Sequence, residues 1–400
     1  MRVFLFAILA GFTLFQACQS PKQNDAKAPT ATAEESLPPA SPKPEIYLYL
    51  VTTDNLLLRD QPTQKGSKSL GKFKLGDIVQ GEGEVSENKE EASIGGIPIT
   101  APYIKVSSTS ADEKAGWLFG GGIYPLYAGA RGTMPDLGRL AQLSAYLQSL
   151  DVSKVESGKK AWDYINTNFA NAKGTLADGV FILLQQFMHR MEVKNEYFYA
   201  DVEKAKLADE DIQLIYEDKF DNEKYPITQS LAASGFRMQT AEGSVFAAAD
   251  LRDFENFFSP NVTPPMKNYL HQTRIEQDKA AMEDGGIVIP MTELADRAAF
   301  WEKFNQDNPW FVLHDETALS AQWMLACLMN GADNTPAFDY ESKKPTDDFK
   351  KMWEYAASQY SSYKVGKSAR QMLDLLAAEG NVQTKKVEDF RTSFHLQEAN

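Results

Sequence analysis

Cysteine and histidine are scarce in this chain. Its 400 residues include two cysteines and four histidines, too few thiols for a disulfide framework or a Cys₄ zinc site. His189, His271, His314 and His395 fall at no H-E-x-x-H or other metal-ligating spacing, so neither a metal nor a cofactor is expected. Positive charge is also short: 41 Lys+Arg stand against 55 Asp+Glu, a net charge of −14. A surface of that sign repels phosphate backbones, which excludes general nucleic-acid binding. There is no G-x-S-x-G elbow, no phosphate-cradling glycine loop and no internal repeat of fixed period. What is present is length for two or three domains and 43% hydrophobic residues, enough for a real core.

The N-terminus carries a targeting pattern. Met1-Arg2 is a positive start, and Val3 to Phe15 is a run of thirteen uncharged residues. At about 1.5 Å each they reach roughly 20 Å, short of the roughly 30 Å hydrocarbon core, so the run suits a signal peptide better than a membrane span. Phe15-Gln16-Ala17-Cys18 comes directly after it. A small residue and then cysteine at the end of an apolar run resembles the lipobox of bacterial lipoproteins, with Phe15 and Gln16 standing where Leu and a small residue are usual. The resemblance implies that residues 1–17 are a signal peptide and that the Cys18 thiol is the lipid attachment site. The alternative is an ordinary secretory signal with an incidental cysteine. Gln19 to Pro44 holds six prolines and five alanines and no large apolar residue except Leu37. It cannot bury enough surface to offset its chain entropy, so residues 18–44 are expected to tether the lipid to the first folded domain. Gln19 is not an Asp-type inner-membrane retention signal, which favours the outer membrane of the cell envelope.

From residue 45 to 127 the pattern has period two: Ile46, Leu48 and Leu50 alternate with Tyr47 and Tyr49, and Ile104 and Val106 with Tyr103 and Lys105. Short alternating runs with Gly, Asp and Pro punctuation predict an antiparallel barrel or sandwich. Asp54-Asn55-Leu56-Leu57-Leu58-Arg59-Asp60-Gln61-Pro62, then Ser69 to Val79 with its Gly76-Asp77 turn, then Tyr103-Ile104-Lys105-Val106 and Gly116-Trp117-Leu118-Phe119 occur in order. Together they resemble the bacterial SH3-type (SH3b) domain, with Leu57 in place of a frequent Asn and an acidic insertion from Gly81 to Pro102. Gly71 is expected to allow a close backbone approach, and Trp117 to anchor a small barrel. The resemblance implies a binding module for cell-wall or protein ligands. Its candidate groove residues are Tyr47, Tyr49, Tyr103 and Tyr124; the alternative is that these are partly exposed strand tyrosines.

After Gly129-Ala130-Arg131-Gly132, read as a linker, the period becomes helical over residues 134–397. Apolar stripes run through Leu137, Leu140 and Leu143 behind an Asp136 cap, through Leu294, Ala298 and Trp301 behind Thr292, and through Leu319, Trp323, Cys327 and Asn330. Nine or ten helices are expected. Asp284-Gly285-Gly286 reads as a tight turn into an extended segment, and Asn334 to Asp339 as a turn-rich loop. Residues 128 to 400 carry 29 basic and 41 acidic side chains, a solvated acidic face that disfavours acidic peptides and lipids.

Catalytic patterns are thin. Cys327 lies mid-helix among apolar residues, with no helix N-terminus or cation to lower its pKa, and reads as a core residue. His189 and Glu192 can share a helix face as a surface pair or a ligand pair. Glu242, Asp250, Asp253, Glu283 and Asp284 are the carboxylates a hydrolase would draw on. The expected architecture is multidomain, a small all-β SH3-like barrel followed by a larger mainly α-helical domain. The expected protein is a lipoprotein held at the membrane by its N-terminal lipid, a non-enzymatic adaptor for peptidoglycan or an envelope protein. The alternative is a cell-wall hydrolase using carboxylates of the helical domain.

Overall fold

The computed structural model describes residues 42–107, 115–241 and 243–394. Cys18, the signal peptide, most of the tether, Glu242 and His395 lie outside them. No helix among the described residues is long and apolar enough to cross a membrane.

Seven strands come first: β1 (Ile46–Val51), β2 (Leu56–Arg59), β3 (Ser69–Phe73), β4 (Ile78–Ile94), β5 (Ile97–Ser107), β6 (Gly116–Phe119) and β7 (Ile123–Gly129). They form one antiparallel sheet in the order β3-β2-β6-β5-β4-β1-β7. The expected barrel is not what forms, because β3 and β7 remain as edges of an open sheet. The reason lies in what covers the strands. Ile46, Leu48 and Leu50 of β1 and Leu126 and Tyr127 of β7 are buried in the same apolar cluster as the helices. Leu56, Leu58, Val79, Tyr103, Val106, Leu118 and Phe119 form a second cluster within the sheet. Strands whose apolar side chains are already covered by helices do not need closure to bury them.

The acidic insertion is ordered as the outer part of the β4–β5 hairpin, which runs to Ile94 opposite Ile97 and turns at Gly95-Gly96, both with positive φ. Glu90 ties it back to the β2–β3 loop by accepting from the Thr63 hydroxyl at 2.5 Å and the Gln64 N–H at 2.8 Å. Gly71 has no neighbour within 4 Å of a Cβ position, so the close approach expected there does not occur. Trp117 is half-buried against the sheet's own cluster.

The remainder is mainly helical: α1 (Leu137–Ser149), α2 (Glu156–Phe169), α3 (Thr175–Lys194), α4 (Tyr199–Glu203), α5 (Asp209–Tyr216), α6 (Pro226–Ala233), α7 (Leu251–Phe258), α8 (Pro264–Asp278), α9 (Met291–Asp307), α10 (His314–Asn330), α11 (Asp347–Gln359), α12 (Lys364–Ala378) and α13 (Lys385–Thr392). Three hairpins interrupt them: β8 (Phe236–Ala241) with β9 (Ser244–Ala249), β10 (Met282–Glu283) with β11 (Gly286–Ile287), and β12 (Gly331–Ala332) with β13 (Thr335–Pro336). The thirteen α-helices among the described residues exceed the expected nine or ten, since short ones such as α4 and α6 carry no long stripe. Asp136 caps α1 as expected, accepting from the Arg139 N–H at 3.1 Å. For α9 the cap is Pro290, and Thr292 lies inside the helix.

The expected linker is a tied corner. The Tyr127 hydroxyl donates to the Ala130 carbonyl at 2.6 Å, and the Arg131 N–H donates to Glu45 at 3.2 Å. A second tie joins sheet to helices where the Ser144 hydroxyl of α1 donates to the Gly76 carbonyl at 2.7 Å.

Candidate functional site

The C-terminal half of α10 forms one wall of an open groove of about 770 Å³, a size common among small-ligand sites. Met324, Leu325, Leu328 and Met329 bury the inner face of the helix. Trp323, Ala326, Cys327 and Asn330 then share the other face at three- and four-residue spacing and line the groove. α10 is pinned from behind by Trp353 of α11, whose buried indole N–H donates to the Leu328 carbonyl at 2.9 Å. The helix ends at Gly331, with φ of +76°, where a Cβ would stand 2.5 Å from the Thr335 carbonyl oxygen; glycine alone lets the chain turn into the β12–β13 hairpin here.

The floor is a stacked cation. The Arg391 guanidinium of α13 lies 5.6 Å from the centre of the Phe338 ring. It donates to both Glu388 oxygens at 2.9 and 3.2 Å and to the Asn330 carbonyl at the C-terminus of α10 at 3.3 Å. Gln383 also donates to Glu388. Asp339 is occupied in a turn, accepting from the Ser342 N–H and hydroxyl, each at 2.7 Å, which lowers its pKa. What the groove leaves unengaged is different in kind. Tyr340 is 71% exposed. The Trp323 indole N–H has no hydrogen-bond partner, and the Lys343 ammonium no ion pair, among the described residues. Cys327 contributes little surface to the groove wall, and burial pushes its thiol up to about 12, so it is protonated at neutral pH.

The four tyrosines expected to line one groove lie in different places. Tyr47 and Tyr49 project from the same side of β1, their rings against Gly83 and Gly81 of β4. Both are half-buried, and burial lifts the Tyr49 hydroxyl to about 12. Tyr103 is 1% exposed and belongs to the sheet's core, edge-on to Phe119 at 5.7 Å. Tyr124 points into the helical region. Its hydroxyl donates to the Glu316 carboxylate of α10, which also accepts from Tyr269 of α8 at 3.2 Å. Burial raises the Glu316 pKa, and the two tyrosines partly offset that.

The described carboxylates a hydrolase would need fall in two places, Asp250 with Asp253 at the start of α7 and Glu283 with Asp284 on a hairpin, while Glu242 lies outside the described residues. Asp250 caps α7 by accepting from the Arg252 N–H at 2.9 Å. Asp253 is raised by burial and then by Asp250. Glu283 and Asp284 sit at the exposed tip of the β10–β11 hairpin. His189 is 3.5 Å from Glu192, and Glu192 is buried with an oxygen accepting from the Ala249 N–H at 2.7 Å, a tie between α3 and β9. Among the described residues no group of three His, Cys, Asp or Glu could hold a metal ion.

Sequence reasoning placed Trp323, Cys327 and Asn330 on one stripe but read it as core, and it missed Tyr340, Lys343 and Arg391. The Gly331 stop directly after Asn330 is the local signal that the stripe ends at a corner. No family model, curated protein or solved structure matches the chain.

Proposed function

We propose that this chain is a lipid-anchored protein of the bacterial cell envelope that binds cell-wall material, with Cys18 as the anchor and residues 19–44 as the tether. The sheet is read as a divergent SH3b-like module. That reading is supported by the segments carrying the resemblance, which fall in order on β2, on β3 with the turn into β4, on β5 and on β6. The observation that carries the binding reading is the α10 groove. It combines two aromatic side chains, Trp323 and Tyr340, with the Lys343 ammonium, which forms no ion pair among the described residues, while Asp339 and Glu388 are held by neighbours. A wall glycan strand offers flat C–H faces to aromatic rings and carboxylates to an ammonium.

Purified ectodomain from Gln19 onward is expected to co-sediment with isolated sacculi and to be released as salt rises. No retention at any ionic strength overturns wall binding. Membrane fractionation of Cys18→Ser tests the anchor separately. The account requires the variant to leave the membrane fraction that holds the parent chain.

A further inference from the structure

The geometry points to a second site, a pocket of about 490 Å³ between α9, the start of α12 and the end of α13, that binds a phosphate group. This inference is independent of the α10 groove.

The first turn of α12 carries Lys364 and Lys367, cations at the positive end of a helix dipole, where an anion is the stabilising partner. One anion is already there. Glu302 of α9 accepts from the Lys364 N–H at 2.5 Å and the Val365 N–H at 3.0 Å. It satisfies the helix end but leaves both side chains, since neither the Lys364 nor the Lys367 ammonium forms an ion pair among the described residues. The independent observation is Ser368. It is 4% exposed, it lines the same pocket, and its hydroxyl has no hydrogen-bond partner among the described residues. Its oxygen is not sealed from solvent, so it opens on the pocket and can donate to a ligand oxygen there. Ser362 and Gln371 add further unpartnered donors to the wall.

The unengaged groups are thus two ammoniums, two hydroxyls and an amide, a set that suits a ligand with several anionic oxygens. Two positive charges match a phosphate better than a single carboxylate. The local charge is consistent with this. Residues 340 to 394 hold ten basic and eight acidic side chains in a chain of net charge −14, so the acidity that disfavours anions elsewhere does not extend here.

The test is calorimetric titration of the full chain in neutral detergent with inorganic phosphate and, separately, with dihexanoyl phosphatidylglycerol. Saturable binding of inorganic phosphate supports a free-phosphate site, and binding of the short-chain lipid alone supports a headgroup site. Lys364→Gln with Lys367→Gln, both exposed positions, is expected to weaken either by roughly tenfold or more. Ser368→Ala, which removes an unpartnered hydroxyl, is expected to keep the melting temperature and weaken binding several-fold. Tyr340→Ala in the other groove is expected to change nothing. Failure of both probes to saturate by about 10 mM, equal binding by parent and variants, or binding of acetate in preference to phosphate overturns the assignment.

Discussion

The hydroxyl of Tyr124 donates to the carboxylate of Glu316, joining the edge strand of the sheet to the first turn of α10 across 192 residues of chain. Tyr269 donates to the other carboxylate oxygen at 3.2 Å. This enclosed acid with two phenol donors fastens the sheet to the helices that carry the groove.

Tyr124→Phe removes one donor and leaves a buried carboxylate oxygen unpaired. A loss of about 1–3 kcal/mol is expected in urea unfolding. A double-mutant cycle with Glu316→Gln is expected to show coupling, whereas additive losses would mean that the two groups do not interact in solution.

Asp178 of α3 sets a pH dependence. Its carboxylate accepts from the Thr263 N–H at 2.9 Å and hydroxyl at 2.6 Å at the start of α8, yet burial raises its pKa from 3.8 to about 6. A raised carboxylate pKa favours the folded state while the group is protonated. Its contribution is therefore complete below about pH 4 and is lost as pH climbs to about 6, on the order of 3 kcal/mol. Asp178→Asn is expected to remove that part of the slope, seen as a stability difference from the parent chain that changes between pH 4 and 7. A constant difference would contradict the assignment.

Gly366 marks the tightest crossing of α11 and α12. A Cβ there would stand 2.0 Å from the Tyr360 carbonyl oxygen and 2.9 Å from that of Ala356. Both obstacles are backbone, so Gly366→Ala is expected to cost about 3 kcal/mol by thermal or urea unfolding. Gly132→Ala, with no neighbour within 4 Å, is expected to be nearly neutral.

Cys327 lines the groove wall but is buried, with its thiol pushed up to about 12. In Cys18→Ser protein a neutral thiol reagent is expected to label it only on unfolding. Rapid labelling of the native chain would show that the wall opens.

Local pattern made much of the fold legible. The alternation around Leu48 and Ile104 predicted strands, and the stripes at Leu140, Trp301 and Trp323 predicted helices, because each rests on contacts repeating along one element. The β8–β9 hairpin escaped because Ala247-Ala248-Ala249 reads as readily helical as extended, and only burial beneath α3 and α4 decides. Tyr103 was assigned to a surface because period two identifies a pair of faces without saying which is covered. The open sheet followed from helices covering β1 and β7, a choice made between segments far apart in sequence. The groove was harder still, since Tyr340, Lys343 and Arg391 sit in a loop and a short helix and meet Trp323 only through packing.

The most direct measurement is an equilibrium binding isotherm of the ectodomain on isolated sacculi, run for the parent chain, Trp323→Ala, Tyr340→Ala and the pair. Tyr340 is exposed, so Tyr340→Ala should keep the parent's melting temperature. Trp323 is half-buried and packs on the core, so Trp323→Ala should melt lower, and its binding is measured well below that midpoint. Each single change should weaken binding about tenfold and the pair further. Parent-like affinity in the double variant would contradict the groove as the wall-binding surface.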